Sequence, residues 1–331
     1  MGWMCRIYCA RIWRIFRLLL GEVVIENLLN EIVSHGDRGA VVPNSRIDDL
    51  KQDMADLRNG EYHTMWIDWM AGNTDEFIPS DLAFEPRSLI VVARPTSKAL
   101  LQFNYGGKPV YCTVPPGDTD EILQEIQVLR YINDYLQPLG FSAAMAVMLP
   151  KKLLAVHCGL GRYGRNNICY NAELGSFMQI LTYVSDIPCD EATWFPISRM
   201  EACENCNACV TACPTGAIDS SRHLINAERC ITAINEFPGE FPEWLDKSAH
   251  NSLLGCMKCQ DCCPGNAMNQ DNVTTNVTFT EEETAELLNH SGDEPCSDSL
   301  TAKLEAAGIS TWINVLPRNL AALLLNGTHL S

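Results

Sequence analysis

Positive charge is scarce in this chain: 24 Lys and Arg stand against 41 Asp and Glu over 331 residues, a formal net charge of −17. A protein that grips nucleic acid by its phosphates needs a basic face, so that class starts at a disadvantage. A nucleic-acid partner would require a local basic patch on a net-negative chain. Long apolar runs are missing too. The longest, Phe141 to Leu149, has nine residues, one of them Ser142, about half of the ~20 that a bilayer span needs, and no transmembrane segment is expected. At the start, Arg6, Arg11, Arg14 and Arg17 interrupt Trp3, Ile7, Ile12, Trp13, Ile15, Phe16 and Leu18. That breaks any signal-peptide core, no A-x-A site follows, and no twin-arginine pair is present. Residues 1–21 are expected to be a leader, disordered or forming a basic amphipathic helix. There is no low-complexity linker and no internal repeat beyond the cysteine motifs.

Cysteine is what the chain has in excess, with 16. A chain of this length with 47% apolar residues can bury a core without disulfide staples. Without an export signal the expected location is cytoplasmic, where thiols serve as metal ligands rather than cross-links.

Periodicity organises the rest. Ile25, Leu28, Leu29, Ile32 and Val33 recur at helical spacing up to Gly36. Ile47, Leu50, Met54 and Leu57 do so after Ser45, whose spacing to Asp48 is a weak capping-box signal. Strands are expected at Ser88–Ala93, Val110–Val114, Phe141–Leu149 and Phe177–Val184, with a long helix after Thr119. This alternation predicts an α/β domain over 22–195. Residues 196–270 hold nine of the 16 cysteines and little apolar core, so their order must come from something else. Residues 271–331 form an acidic segment with three expected helices, at Glu281–Leu288, Leu300–Ala307 and Leu316–Leu325.

Cys203-x-x-Cys206-x-x-Cys209-x-x-x-Cys213-Pro214 has the spacing of a bacterial-type [4Fe–4S] ligand run, in which the fourth cysteine serves the other cluster. Cys256-x-x-Cys259-x-x-x-Cys263-Pro264 supplies three more, and Cys230 lies between. By that crossed logic Cys203, Cys206, Cys209 and Cys263 hold one cluster, and Cys213, Cys230, Cys256 and Cys259 hold the second. Cys262 is read as a bystander, although spacing alone does not separate it from Cys263. A zinc site rarely uses a third cysteine at the same short interval. Cysteines 5, 9, 112, 158, 169, 189 and 296 lack ligand spacing and are read mostly as small buried hydrophobes. His157 is read as a structural residue, and His250 as a structural residue or a donor to cluster sulfur.

Gly159-Leu-Gly161-Arg-Tyr-Gly164 matches the dinucleotide fingerprint G-x-G-x-x-G. That motif should open a helix in a first βα turn, whereas Arg165-Asn166-Asn167 and Gly175 follow here. The loop is instead read as backbone that approaches another ligand closely, with Arg162 and Arg165 adding charge.

The order GLGRYGRNN (159–167), GSFMQILTYVSDIP (175–188), CENCNACVTACPTGAI (203–218), AERC (227–230), GCMKCQDCCP (255–264) and LPRNLAALL (316–324) resembles the epoxyqueuosine reductase and reductive dehalogenase superfamily. The resemblance implies a nitroreductase-like α/β domain that binds a cobamide (cobalamin), followed by a ferredoxin-like domain with two [4Fe–4S] clusters that reduce its cobalt. It carries over Gly159, Gly161, Gly164, Arg165, Asn166, Gly175 and Ser176 as cobamide-facing. It also implies an electron donor such as ferredoxin or flavodoxin. The Arg-Asp-Tyr-His stretch of the epoxyqueuosine reductases, whose aspartate is thought to donate the proton, has no match in FNYGGKPVYCTVPPGDTDEI (103–122). Tyr105, Tyr111, Asp118 and Asp120 replace it as catalytic candidates, while Asp118 and Thr119 have a simpler reading as helix caps. The expected function is a cobamide-dependent reductase on an unknown small molecule. The alternatives are a non-catalytic electron-transfer protein and a tRNA epoxyqueuosine reductase.

Overall fold

The computed structural model describes residues 21–325 apart from Tyr62, Asp120, Arg222, His223, Gln270, Asp271, Thr275, Asn276 and Asp293, and gives only the backbone of Glu121. Except for Gly21, the expected leader lies outside these residues, as do Cys5 and Cys9. The chain forms two compact units, and neither is one continuous stretch. The first gathers the residues up to Pro95 with Leu123–Arg162 and Ile180–Ser198; the second gathers Thr96–Ile122, Tyr163–Gln179 and everything from Arg199 onward. The sequence divides into consecutive segments at 22–195, 196–270 and 271–331, whereas the compact units are assembled from separated stretches of chain.

In the first unit a helix over residues 21–34 stops at Gly36, whose φ of 83° lies in the left-handed region, and Asp37 N–H closes the turn on the Ile32 carbonyl. A four-stranded sheet follows in the order Arg38–Pro43, Ser88–Pro95, Met178–Ser185, Ala143–Met145. Alternate residues Ile90 and Val92, with Leu181 and Tyr183, pack against Leu28 and Ile32 of the first helix and Val128, Ile132 and Leu136 of the helix Glu121–Leu136. Ser45 does not cap the helix Arg46–Arg58: its backbone is itself helical and its hydroxyl makes no capping bond. The expected strand Phe141–Leu149 shrinks to Ala143–Met145. The Ser142 N–H is taken by the Asp186 carboxylate, and the Asn133 side chain bonds both the N–H and the carbonyl of Ala143.

In the second unit the strands Lys98–Tyr105 and Lys108–Val114 form a hairpin around Gly106 and Gly107, both with positive φ, as a two-residue primed turn requires. Ala99, Leu101 and Phe103 on one strand and Val110, Cys112 and Val114 on the other face a core completed by the helices Glu281–Asn289, Asp298–Ala306 and Leu316–Leu325. Phe103 and Phe279 stack there at 4.4 Å. Thr280 and Glu283 form a reciprocal capping box at the first of these helices. The acidic tail is thus the cover of a hairpin. Cys112 is a filler in that core, and burial pushes its thiol up to about 12. Among the described residues no helix is long and apolar enough to cross a membrane.

The cysteine loops hold only short helices, Ala208–Ala212, Ile231–Glu236 and Lys258–Asp261, and their own apolar cluster is Ile231, Leu245 and Ala249. Leu253 and Leu254, by contrast, are fully buried in the hairpin core. Stripping bound metal should therefore open 203–250 to protease first, because binding confined to the folded state is what stabilises it. The hairpin and the last three helices should persist. Mass mapping of an early digest tests this; first cuts within 98–114 or 281–325 would count against it.

Candidate metal centre

The four thiols assigned to the first cluster, Cys203, Cys206, Cys209 and Cys263, line one small cavity of about 20 Å³, with Gly164, Arg165 and Asn166 also on its wall. Burial raises the Cys209 thiol to about 11, and the neighbouring thiols of Cys262, Cys263 and Cys203 add to the rise. The second set crowds in the same way. Burial raises Cys256, and Cys230 and Cys213 raise it further; Cys259 is raised well above its usual value by burial and then by Cys256 and Cys230. Cys213 goes the other way. Burial alone would push it up, but hydrogen bonds from the backbone of Thr215, Ile218 and Ala217 and from the Thr215 hydroxyl outweigh that and hold it down.

Thiols that repel one another as thiolates fit a cationic metal core, which deprotonates its sulfur ligands outright. Among the described residues no three His, Cys, Asp or Glu side chains converge as the ligands of a single ion would. The first set surrounds a space, as a four-iron core held corner by corner requires. Cys262 turns back on its own helix, its thiol donating to the Cys259 carbonyl at 3.7 Å.

The glycine run lies after the helix Lys151–His157 and leads into two-residue strands, Arg162–Tyr163 paired with Cys169–Tyr170. That order is the reverse of a dinucleotide fingerprint. Gly159, in the first unit, has φ 80°, and a side chain there would meet the Phe195 ring at 2.6 Å. Gly161 lies in the loop that enters the first short strand.

From Gly164 onward the residues expected to face a cobamide are engaged with the cysteine loops. The Arg165 guanidinium donates to the carbonyls of Cys203, Cys206 and Ser220. Asn166 Nδ2 donates to the Tyr170 hydroxyl at 2.9 Å and to the Cys259 carbonyl at 3.3 Å. A side chain at Gly164 would strike Asn166 Oδ1 at 2.5 Å and the Tyr170 ring at 2.6 Å. Gly175, with φ 60°, lies against Asn266 and the Gly265 carbonyl. Ser176 N–H donates to Asn266 Oδ1 at 2.8 Å, and Ser176 Oγ to Gln260 Oε1 at 2.7 Å.

Gln260 and Asn266 are not found by sequence reasoning, because their partner Ser176 lies 84 and 90 residues away. Tyr170 is not found either, because no local pattern marks its bond from Asn166. The LPRN stretch has a comparable task. Arg318 donates to the Ile234 carbonyl at 2.9 Å, and Asn319 Nδ2 to the carbonyls of Asn235 at 2.9 Å and Leu253 at 3.0 Å. Together they fasten the chain between Cys230 and Cys256. Asn251 Nδ2 reaches Cys256 Sγ at 3.2 Å.

The catalytic candidates do not assemble. Tyr105 is exposed at the hairpin turn, and Tyr111 lies opposite Gln102 on the face turned away from the core. Asp118 follows the far end of the second strand, about 20 Å along the hairpin from Tyr105 at ~3.4 Å per residue. Its Oδ2 would be 3.2 Å from a side chain at Gly255, one residue before Cys256. Asp120 lies outside the described residues. His157 is satisfied, bonded to Asp53 at 2.9 Å and the Phe195 carbonyl at 2.7 Å, with Trp194 stacked on its ring. His250 is buried with Nδ1 unpartnered and lies 4.3 Å from Phe241.

Residues 202–266 match the family described as "4Fe-4S double cluster binding domain". Among curated proteins, the epoxyqueuosine reductase of Escherichia coli is 38% identical over 95 residues, 28% of this chain and 23% of that protein. The Bacillus subtilis enzyme is 33% identical over 150 residues, 44% and 37% of the two chains. The chain resembles the epoxyqueuosine reductases. The matches span well under two thirds of those relatives' own lengths. The fold is shared more widely: the crystal structure of a selenomethionine-labelled epoxyqueuosine reductase covers 92% of this chain and 82% of its own, with a TM-score of 0.67 at 18% identity. That of the Bacillus subtilis epoxyqueuosine reductase covers the same shares, with a TM-score of 0.63 at 19% identity. The chain is therefore a mixed α/β protein of the epoxyqueuosine reductase fold, and its double-cluster domain supports two [4Fe–4S] clusters.

Proposed function

We propose that this chain is an iron–sulfur reductase of the epoxyqueuosine reductase type, acting on a tRNA-borne epoxide. The observation that carries the reading is the pair of crowded thiol sets, the first of them around a cavity. Cys203, Cys206, Cys209 and Cys263 would hold one cluster, and Cys213, Cys230, Cys256 and Cys259 the other. Bound there, the clusters supply electrons singly. Arg165, Asn166 and Ser176 hold the ligand loops in register, and Arg318 and Asn319 hold the segment between Cys230 and Cys256. The curated relatives support the substrate class, as does a neighbouring structure of an epoxyqueuosine reductase with an epoxyqueuosine-modified tRNA stem loop, which has a TM-score of 0.62 at 18% identity. Taking the oxygen out of an epoxide as water consumes two electrons and two protons, which suits two single-electron carriers and a proton donor. Among the described candidates, Asp118, beside Gly255, is the one assigned as that donor.

A cobamide, if the chain takes one, would have a candidate contact away from the glycine loop. Gln179 is buried, and neither polar atom of its amide has a partner. Each unmet group costs about 1–3 kcal/mol, a cost that a bound amide-bearing ligand would remove. Gly117 has φ 90°, and a side chain there would lie 4.0 Å from the Gln179 Cβ. In this reading Gln179 would hold a corrin amide, while Arg165 to Ser176 would serve the clusters.

The test is complementation. Expressed in a strain lacking its own epoxyqueuosine reductase, the chain should restore queuosine in tRNA and deplete the epoxide precursor. Anaerobically purified protein should carry about eight irons and eight sulfides. Intact clusters with persistent precursor would point to a bare electron carrier, and zinc without sulfide would end the cluster reading.

A further inference from the structure

Tyr170 does something that neither the cysteine motifs nor the glycine loop requires. Its side chain is 4% exposed, and a buried phenol needs partners for its oxygen and for its hydrogen. The oxygen accepts from Asn166 Nδ2 at 2.9 Å. That amide is fixed in orientation, because its Oδ1 accepts the Ile168 N–H at 3.3 Å while Nδ2 also donates to the Cys259 carbonyl. The phenol hydrogen is left for another acceptor. Cys263 Sγ lies beside the ring, and after burial its interaction with the phenol helps push the Tyr170 hydroxyl up. Gly265 allows the approach: a side chain there would lie 3.2 Å from Tyr170 Cδ1 and 3.5 Å from Cys263 Sγ.

We infer that Tyr170 is a positioning residue of the first cluster, its O–H donating to Cys263 Sγ. The bond aims the sulfur brought in by the second motif at the cavity of Cys203, Cys206 and Cys209. It also draws electron density from that sulfur, which stabilises the reduced cluster and raises its potential. A tyrosine that only filled space would be replaced by phenylalanine without redox consequence. The inference rests on the two-cluster reading, which iron and sulfide analysis of the wild-type protein tests separately.

The experiment is a mediated redox titration of the reconstituted full chain, followed by electron paramagnetic resonance of the two reduced clusters. In Tyr170→Phe one couple should move to a more negative potential while the other stays. Replacing Tyr170 by 3-fluorotyrosine, a stronger donor of the same shape, should move that couple in the positive direction. A couple that holds still in both variants, or moves the same way in both, overturns the inference. Should Tyr170→Phe shed the cluster, the fluorotyrosine protein decides alone: no positive shift means no bond to sulfur.

Discussion

Cys206→Ser is expected to cost the purified chain about half its iron and sulfide, and Cys112→Ser none, because each four-iron core needs its own four thiolates. Cys206 lines the cavity shared with Cys203, Cys209 and Cys263, whereas Cys112 packs among Leu101, Phe103 and Val114 in the hairpin core. The sharper version uses pairs. If the ligands cross between motifs, Cys206→Ser with Cys263→Ser damages one cluster twice and still leaves about half the iron. Cys206→Ser with Cys256→Ser should leave almost none. If each motif kept to its own cluster, the first pair would also strip the protein. Iron counts on four anaerobic preparations separate the two schemes, with Cys262→Ser as a further control that should retain everything.

Gly175→Val should be the most damaging single change outside the cysteines. The backbone there has φ 60°, and a side chain would run into Asn266 and come within 2.8 Å of the Gly265 carbonyl. Left-handed backbone costs a residue with a side chain about 1–2 kcal/mol, and a β-branched one more. Displacing Asn266 also breaks its bonds to Ser176 and to the Gln260 carbonyl, the network behind Cys263. A total loss of ~3–5 kcal/mol is expected, in the range that buried-network damage produces. Iron should be lost preferentially from the first cluster. Gly106→Ala is the matched control: its φ is 61°, but nothing lies within 4 Å, so only the backbone strain of ~1 kcal/mol should appear in a denaturant midpoint. Equal shifts in the two variants would show that the contact with the 264–266 loop carries no weight.

Local chemistry was legible in the sequence, and long-range partnership was not. The cysteine spacings mark the segment that matches a double-cluster domain, 202–266, without a structure, since the spacing follows the shape of the cubane. Thr280 with Glu283 announces its helix, and Leu316–Leu325 falls where the apolar periodicity puts it. The strand Lys98–Tyr105 is not among the expected strands although Ala99, Leu101 and Phe103 alternate inward, because it follows Pro95 closely and Gln102 and Asn104 interrupt its apolar residues. Arg38–Pro43 was missed because it is short and follows directly on a helix-ending glycine. The roles of Arg165 and Ser176 were beyond reach. Arg165 bonds carbonyls 38 and 41 residues away, and Ser176 bonds side chains 84 and 90 residues away. Carbonyl groups carry no residue signature, so a clamp built on them leaves no motif.

The second unit draws on Thr96–Ile122 and Tyr163–Gln179 as well as the chain after Arg199. The segment 202–266 is therefore not a portable cassette. Grafted into another protein, it would keep its cysteines and lose Arg165, Asn166, Tyr170 and Ser176, and with them the bonds that pin 203–206 and 259–266. The hairpin that buries Leu253 and Leu254 would stay behind as well. Anyone borrowing this double-cluster wire for a designed oxidoreductase would need to carry three separated stretches of chain and rejoin them with new loops.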